Sequence, residues 1–192
     1  MWGEARRRAL KRLYDHMALG LVDGDIAAML VRVNEAGHAL FTSSSCSGRV
    51  VVFSGADFTD KRGASMWWST HDPLECFREV CFRSELASKS TTGGIVSWVS
   101  LQPPIIQAQA RTLEVAGKVL DCALESGFAR AGMRIARGGW FIVEASARDK
   151  VHVILPAQCG VLLRLCDLLS RYKVRVYRML ECLERVNRES TI

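Results

Sequence analysis

A segment of seven residues concentrates most of the chemistry that this sequence offers. Residues 43–49 supply four serine hydroxyls, the thiol of Cys46, the glycine Gly48 and the guanidinium of Arg49. They precede the apolar run 50–53, which predicts a buried strand, and loops at strand ends present functional groups on a rigid scaffold. Hydroxyls and N–H groups bind anions, an arginine clamps a carboxylate bidentately, and a glycine lets a ligand approach the backbone. We predict a loop that binds an anion or carboxylate, with a serine-rich turn around a buried Cys46 as the alternative. The candidate binding residues are Ser44, Ser45, Ser47, Gly48 and Arg49.

A second segment ends in a histidine that follows two tryptophans. Trp67 and Trp68 belong to a predicted strand over 66–71, and alternation along a strand buries one of the two rings. Trp68 is the candidate for stacking on a base, and His71 is the candidate proton acceptor. His71 also offers Cys46 the base that a cysteine nucleophile needs, so both are candidate catalytic residues. The alternative is that His71 caps the helix that follows it.

The seven cysteines predict a reduced protein. Most of them lie inside apolar runs, their number is odd, and they form no C-x-x-C pair. These features favour a cytoplasmic, reducing compartment over a disulfide scaffold. His71, Cys76 and Cys81 are spaced by five residues. That spacing suits neither a zinc knuckle nor one helix face, so we predict no metal site.

Arginine dominates the positive charge of the chain. The formal net charge is +6, and 20 of the 26 basic residues are arginines. Arginine binds phosphate and stacks on bases, which favours a nucleic-acid or anionic ligand, although a charge of this size is common on a protein surface. On the predicted C-terminal helix, arginines within an arc of roughly 80° form a stripe that suits an RNA backbone, with a solvated flank as the alternative. The candidate RNA-binding residues are Arg164, Arg171, Arg175 and Arg178.

The elements that position these residues follow from hydrophobic periodicity and turn signals. We predict helices over 4–19, 26–34, 72–86, 111–125 and 159–187, and strands over 50–53, 66–71, 95–101, 133–137, 140–145 and 151–155. The last two strands are expected to pair with each other, and Pro103-Pro104 to stop the strand before them.

This pattern predicts an α+β protein with a mixed or antiparallel central sheet, flanking helices and a long C-terminal helix. Residues 1–192 are expected to form a single compact domain. No apolar run reaches the ~18 residues of a transmembrane helix, and the first residues contain no apolar signal core. We therefore expect neither a membrane span nor a secretion signal.

The motif Phe41-Thr42-Ser43-Ser44-Ser45-Cys46-Ser47-Gly48-Arg49 resembles the Thr-Ser-Ser-Cys-Ser-Gly-Arg signature of the tRNA wybutosine-synthesising protein 3 family. Other landmarks of that family match in order and spacing, and the likeness runs from about residue 5 to residue 186. They are Gly20-Leu21-Val22-Asp23, Trp68-Ser69-Thr70-His71-Asp72-Pro73, Ser126-Gly127-Phe128 and Val153-Ile154-Leu155-Pro156.

The resemblance implies a single-domain methyltransferase. Its expected reaction moves a methyl group from S-adenosylmethionine to a ring nitrogen of the tricyclic wybutosine precursor, just 3′ of the anticodon of phenylalanine tRNA. Such a displacement needs alignment more than a covalent catalyst. Ser44, Ser45, Gly48 and Arg49 would hold the methionine carboxylate or the side chain of the base. His71 would take the proton or orient the base, and the tRNA would be the partner of the arginine-rich helices.

Four positions depart from the family pattern. Gln102 stands where the family has Glu, Gln107 where it has His, and Ala131 where it has Ser; Glu144 begins a run that reads Arg-Ser-Thr in the family. These departures favour either a divergent member of the family with an altered substrate or a catalytically silent RNA-binding relative on the same fold. A thiol-dependent hydrolase that uses Cys46 and His71 is the third class of function that we consider.

Overall fold

The computed structural model of the protein describes residues 1–57, 63–90 and 93–190. Across these residues it contains five helices and eight strands. In chain order they are α1 (Trp2–Ala18), α2 (Gly24–Glu35), β1 (Leu40–Cys46), β2 (Arg49–Gly55), β3 (Ser65–Thr70), α3 (Pro73–Lys89), β4 (Val96–Gln102), β5 (Ile105–Ala110), α4 (Leu113–Glu125), β6 (Arg130–Ile135), β7 (Phe141–Ser146), β8 (Val151–Ile154) and α5 (Cys159–Glu189). Within the described ranges, no helix is long and apolar enough to cross a membrane.

The chain divides into two compact units, each assembled from separate stretches of sequence. The first unit comprises Met1–Ser47, Pro104–Arg148 and Lys173–Ile192, and the second comprises Gly48–Pro103 and Asp149–Tyr172. The predicted α+β class, the antiparallel strands, the flanking helices and the long C-terminal helix are confirmed. The strands form two four-stranded sheets where one central sheet was expected. A single domain over residues 1–192 stays a prediction.

The first unit is built on a sheet with the strand order β1-β5-β7-β6, in which all neighbours are antiparallel. Every second residue of β5 is buried, because Ile106, Ala108 and Ala110 turn to the core. Apolar side chains of α4 and α5, such as Val119 and Leu180, join the same buried cluster. Burying this apolar surface is the main force that holds the unit together. The strand β1 is left at an edge of the sheet.

The second unit has the strand order β3-β2-β4-β8, again antiparallel throughout. Val50, Val51 and Val52 of β2 are fully buried, as the apolar run predicted. The helix α3 begins where expected, since the Asp72 side chain accepts a hydrogen bond from the Leu74 N–H at 2.9 Å and Pro73 occupies the first turn.

Three details of the strands differ from the prediction. Residues 40–46, expected mostly as a loop, form β1, and a strand β5 follows Pro103-Pro104 directly. The prolines end β4, but they allow a new strand once the chain has turned. β7 pairs with β5 and β6, whereas β8 pairs with β4, so the predicted hairpin between the two is wrong.

Six of the seven cysteines form disulfides, so the prediction of a fully reduced chain is wrong. The bonds join Cys76 to Cys166, Cys81 to Cys159, and Cys122 to Cys182, with Cα atoms 5.6, 5.3 and 5.7 Å apart. In each pair one partner belongs to α5 and the other to α3 or α4. Sequence spacing does not reveal such pairs, because helix packing places them within the range that a disulfide spans. Cys46 is not disulfide-bonded.

Candidate active site

The serines of the signature line a cleft of about 650 Å³ in the first unit. This volume lies in the range of small-molecule sites. β1 forms one side, α1 forms another, and side chains from β5 and the residue before β7 complete it. The polar and aromatic residues of the lining are Arg8, Arg12, His16, Phe41, Thr42, Ser43, Ser44, Ser45, Gln107, Gln109 and Trp140.

The serine hydroxyls differ in how they are engaged. The Ser43 Oγ donates to Gln107 Oε1 at 2.8 Å, and Gln107 Nε2 donates to Glu144 Oε2 at 3.0 Å, which gives a polar row across three strands. The Ser45 Oγ is buried and has no hydrogen-bond partner in the described part of the chain. A buried hydroxyl without a partner is costly, so it is suited to a polar group of a ligand in the cleft.

Trp140 brings an indole ring to the same cleft. Its Nε1–H donates to Gln109 Oε1 at 2.5 Å, and the ring of Trp2 meets it nearly edge-on, with centroids 5.9 Å apart. The ring lies against Gly138, where an added Cβ would sit 1.8 Å from Cζ3 of the indole. The position of the ring therefore requires glycine at residue 138. From the sequence alone, Trp140 after Gly138-Gly139 is only an ambiguous basic and aromatic patch, flanked by Arg134 and Arg137.

Ser47 is fully buried in a charged network of the first unit. Its N–H and hydroxyl lie 2.7 and 2.9 Å from Asp23 Oδ2. The hydroxyl accepts a hydrogen bond from Lys173 Nζ, which also pairs with Asp25 at 2.8 Å. The Lys173 side chain is only 6% exposed, so this network fixes the end of β1. The sequence analysis did not single out Lys173, because its burial depends on contacts with residues that are distant in the sequence. The predicted contact between Ser47 and a ligand stays a prediction.

The second unit brings Gly48, Arg49 and His71 together. Gly48 has φ of 86°, and its carbonyl accepts a hydrogen bond from His71 Nδ1 at 3.0 Å. A carbonyl only accepts, so this bond places the proton of a neutral ring on Nδ1 and makes Nε2 the basic nitrogen. The Arg49 Nε–H donates to Gln102 Oε1 at 2.7 Å, which orients the guanidinium.

Trp68 turns to α3 within the second unit. Its Nε1–H donates to Glu75 Oε1 at 3.3 Å, and the Thr70 hydroxyl donates to the same carboxylate. Trp67 is the more exposed of the pair, at 46%, and donates to Ser54 Oγ at 2.6 Å. Trp68 is the less exposed ring, as predicted, but it is only half-buried, so the prediction that one ring is buried is wrong. Stacking of Trp68 on a base stays a prediction.

The remaining candidates belong to separate parts of the chain. Cys46 belongs to the first unit and His71 to the second, so their pairing stays a prediction. On α5, Arg164 has an 82% exposed side chain whose paired carboxylate, on Asp167, lies 3.5 Å away. Arg171 and Arg178 are exposed, and Arg175 is half-buried near Gly127. The RNA contacts of these four arginines stay a prediction.

Comparison with known proteins decides the family. A family model described as methyltransferase TYW3 matches residues 4–188. The chain belongs to this family. The resemblance carried by the signature at residues 41–49 is therefore confirmed.

Individual relatives agree with this assignment. A tRNA(Phe) 7-((3-amino-3-carboxypropyl)-4-demethylwyosine(37)-N(4))-methyltransferase of Thermococcus sibiricus is 30% identical over 78% of this chain and 73% of that protein. The second methyltransferase of that name in Thermococcus kodakarensis is 31% identical over 97% of this chain and 89% of that protein. The solved structure of the PH1069 protein from Pyrococcus horikoshii has a TM-score of 0.82 and 26% identity, and the match covers 94% of this chain and 95% of that one.

Membership of the TYW3 family identifies the chain as a methyltransferase, so the predicted enzyme class is confirmed. The alternative of a thiol-dependent hydrolase finds no support in these comparisons. Three of the four residues that depart from the family pattern lie at the sites described above. Gln102 orients Arg49, while Gln107 and Glu144 form the polar row with Ser43.

Proposed function

We propose that this protein transfers a methyl group from S-adenosylmethionine to N4 of 7-(3-amino-3-carboxypropyl)-4-demethylwyosine at position 37 of phenylalanine tRNA. The names of the relatives supply the substrate. The observation that carries the proposal is the cleft of the first unit, which is lined both by serines of the family signature and by the indole ring of Trp140. A cleft of this kind suits a ligand with a planar ring system and a polar arm.

The polar arm is common to the cofactor and the proposed substrate. S-adenosylmethionine carries a 3-amino-3-carboxypropyl group on its sulfur, and the base named for the relatives carries the same group at its position 7. Ser44 and Ser45 of the cleft fit such an arm, because hydroxyls donate to a carboxylate and accept from an ammonium group. The unpartnered Ser45 Oγ supports this fit. Arg49 of the second unit is suited to a carboxylate in its own right.

For the proposed methyl transfer, the protein must align the base with the methyl group, exclude water and accept one proton. S-adenosylmethionine supplies an electrophilic methyl group on a sulfonium, and alignment is worth several powers of ten in such a displacement. As N4 gains the methyl group it must lose its proton. We propose that His71 accepts this proton at Nε2, the nitrogen that the Gly48 contact leaves basic. Cys46 remains the second proposed catalytic residue, and Trp68 a proposed stacking partner.

The tRNA is proposed to lie along the arginines of α5, namely Arg164, Arg171, Arg175 and Arg178. The side chains of Arg164, Arg171 and Arg178 are exposed, and guanidinium groups spaced along one helix suit a phosphate backbone. We also propose an intracellular, cytoplasmic location. The reason is the proposed tRNA substrate, since the disulfides remove the argument from cysteine usage. Disulfides are rare in cytosolic proteins outside hyperthermophiles, so the proposed location rests on the tRNA substrate alone.

A catalytically silent RNA-binding relative is the second candidate. It is favoured by Gln102, Gln107 and Glu144, which replace residues of the family pattern at both sites. Calorimetric titration with S-adenosylmethionine, alone and with tRNA carrying the unmethylated precursor, separates the two candidates. Saturable cofactor binding supports the methyltransferase. Binding of tRNA with no response to the cofactor supports the silent relative.

Replacing Gly138 by alanine is expected to weaken binding of the precursor tRNA by about 1–3 kcal/mol, or roughly 5- to 150-fold, since this is what one base stacked on an aromatic ring contributes. The new Cβ would lie 1.8 Å from the Trp140 ring and displace it. The measurement is the dissociation constant for the tRNA, by fluorescence anisotropy. Gly117→Ala is the matched control, because an added Cβ there meets nothing within 4 Å. Wild-type affinity in Gly138→Ala would remove Trp140 from the base-binding site.

A further inference from the structure

The helix α1 is fastened to the first unit by a few polar anchors. No residue of α1 is fully buried. Arg6 donates to the carbonyls of Asn34, at 2.5 Å, and Gly37, at 2.9 Å, and the Trp2 Nε1–H donates to the carbonyl of His38 at 2.9 Å. Partial burial lowers the pKa of Arg6 from its ordinary value. These contacts hold the helix so that another of its faces forms a wall of the cleft.

That wall carries a row of basic side chains. Arg8, Arg12 and His16 line the cleft at successive i, i+4 positions, and all three are exposed. Four residues of helix correspond to about 6 Å. The spacing is comparable to that of successive phosphates along an extended RNA strand. We call these three residues the α1 row.

The row is not neutralised by acidic neighbours. Arg8 pairs with Glu4 at 2.9 Å, but both side chains are more than half exposed, and such a pair contributes little. Arg12 has no ion pair in the described part of the chain. The cleft lining contains no aspartate or glutamate among the described residues. Lys11, on another face of the same helix, forms a similarly exposed pair with Asp15 at 2.8 Å, a contact that raises its pKa.

We propose that the α1 row binds the phosphates of the nucleotides that flank the base held in the cleft. This inference rests on the proposed function and adds to it the surface that receives the anticodon-loop backbone. A planar base in the cleft leaves its own backbone at the rim, where Arg8 and Arg12 lie. Arginine suits this role, because its guanidinium matches phosphate geometry and stays charged.

The test compares two double variants that remove the same charge from the same helix. Arg8→Ala/Arg12→Ala removes the arginines of the row, and Arg7→Ala/Lys11→Ala removes two exposed cations that do not line the cleft. Binding of an anticodon stem-loop RNA and of the full tRNA is measured over a series of salt concentrations. Each lost phosphate contact lowers the salt slope by about 0.7 in single-stranded RNA, so the row variant is expected to lose about 1.4 from its slope with both RNAs. The control variant is expected to keep the wild-type slope.

Equal slopes in the two variants would overturn the proposal, as would an effect on the full tRNA that is absent with the stem-loop. Thermal unfolding of both variants shows whether a loss of binding arises from misfolding. Arg8→Lys/Arg12→Lys keeps the two positive charges and is expected to retain most of the wild-type salt slope. Methyl transfer by the wild-type protein is measured separately. If the wild type transfers the methyl group but the two double variants have equal salt slopes, only the proposed role of the α1 row is overturned. If the salt slope depends on the α1 row but no methyl group is transferred, the proposed function is overturned and the phosphate-binding role of the row is retained.

Discussion

Replacing His71 by alanine is expected to lower kcat for methyl transfer by about 10²- to 10⁴-fold, the range that a positioned general base contributes. The proton on N4 must leave as the new N–C bond forms, and the Gly48 carbonyl holds the His71 ring with Nε2 as its basic nitrogen. Loss of the imidazole removes that acceptor. Calorimetric binding of S-adenosylmethionine is expected to stay within about threefold of wild type, since a proton acceptor contributes mainly in the transition state.

Two further variants separate proton transfer from structure. His71→Asn keeps an N–H donor for the Gly48 carbonyl but has no basic nitrogen, so we expect it to lose as much kcat as alanine does. His38→Ala removes an exposed histidine and is expected to leave kcat unchanged. Single-turnover rates give the measurement. A folded His71→Asn variant with wild-type kcat would mean that His71 positions the turn and transfers no proton.

Breaking the disulfides is expected to produce the largest loss of stability. The three bonds close stretches with sequence separations of 90, 78 and 60 residues. In the chain-entropy model, a loop of this size restricts the unfolded chain by roughly 4–5 kcal/mol. For Cys122→Ser/Cys182→Ser we expect the free energy of unfolding to fall by about 2–5 kcal/mol. The other two bonds enclose overlapping stretches of the chain, 76–166 and 81–159, so their effects are not expected to add.

The measurement is guanidinium unfolding followed by circular dichroism, with and without a reductant. A reductant is expected to move the midpoint of the wild type to lower denaturant by at least as much as Cys122→Ser/Cys182→Ser does. Cys46→Ser is the matched control, because Cys46 is not disulfide-bonded. A wild-type midpoint that does not respond to the reductant would contradict the stabilising role of the three bonds.

The helices and the family were predictable, because both depend on local sequence. Periodicity and caps such as Asp72-Pro73 gave the five helices to within a few residues. The strands were harder. β5 follows two prolines and contains two glutamines, so its burial pattern becomes visible only once Ala108 and Ala110 meet the core.

The candidate site was predictable in its residues but not in its arrangement. Residues 43–49 appeared as one binding loop, yet Ser43 to Ser45 belong to an edge strand of the first unit, while Gly48 and Arg49 open the second. The contribution of α1 to the cleft was not visible, because His16 has no local context that marks it as a site residue. The disulfides depend on the packing of α5 against α3 and α4, which no local pattern encodes.

The central claim is that this chain methylates N4 of the wybutosine precursor in phenylalanine tRNA. The most direct test incubates the purified protein with precursor-bearing tRNA and methyl-labelled S-adenosylmethionine, digests the RNA and examines the nucleosides by mass spectrometry. We predict that the base at position 37 gains one labelled methyl group, that the label lies on N4, and that the reaction disappears in His71→Ala. An unlabelled base 37, with the tRNA bound and the relative from Thermococcus kodakarensis active under the same conditions, would contradict the claim.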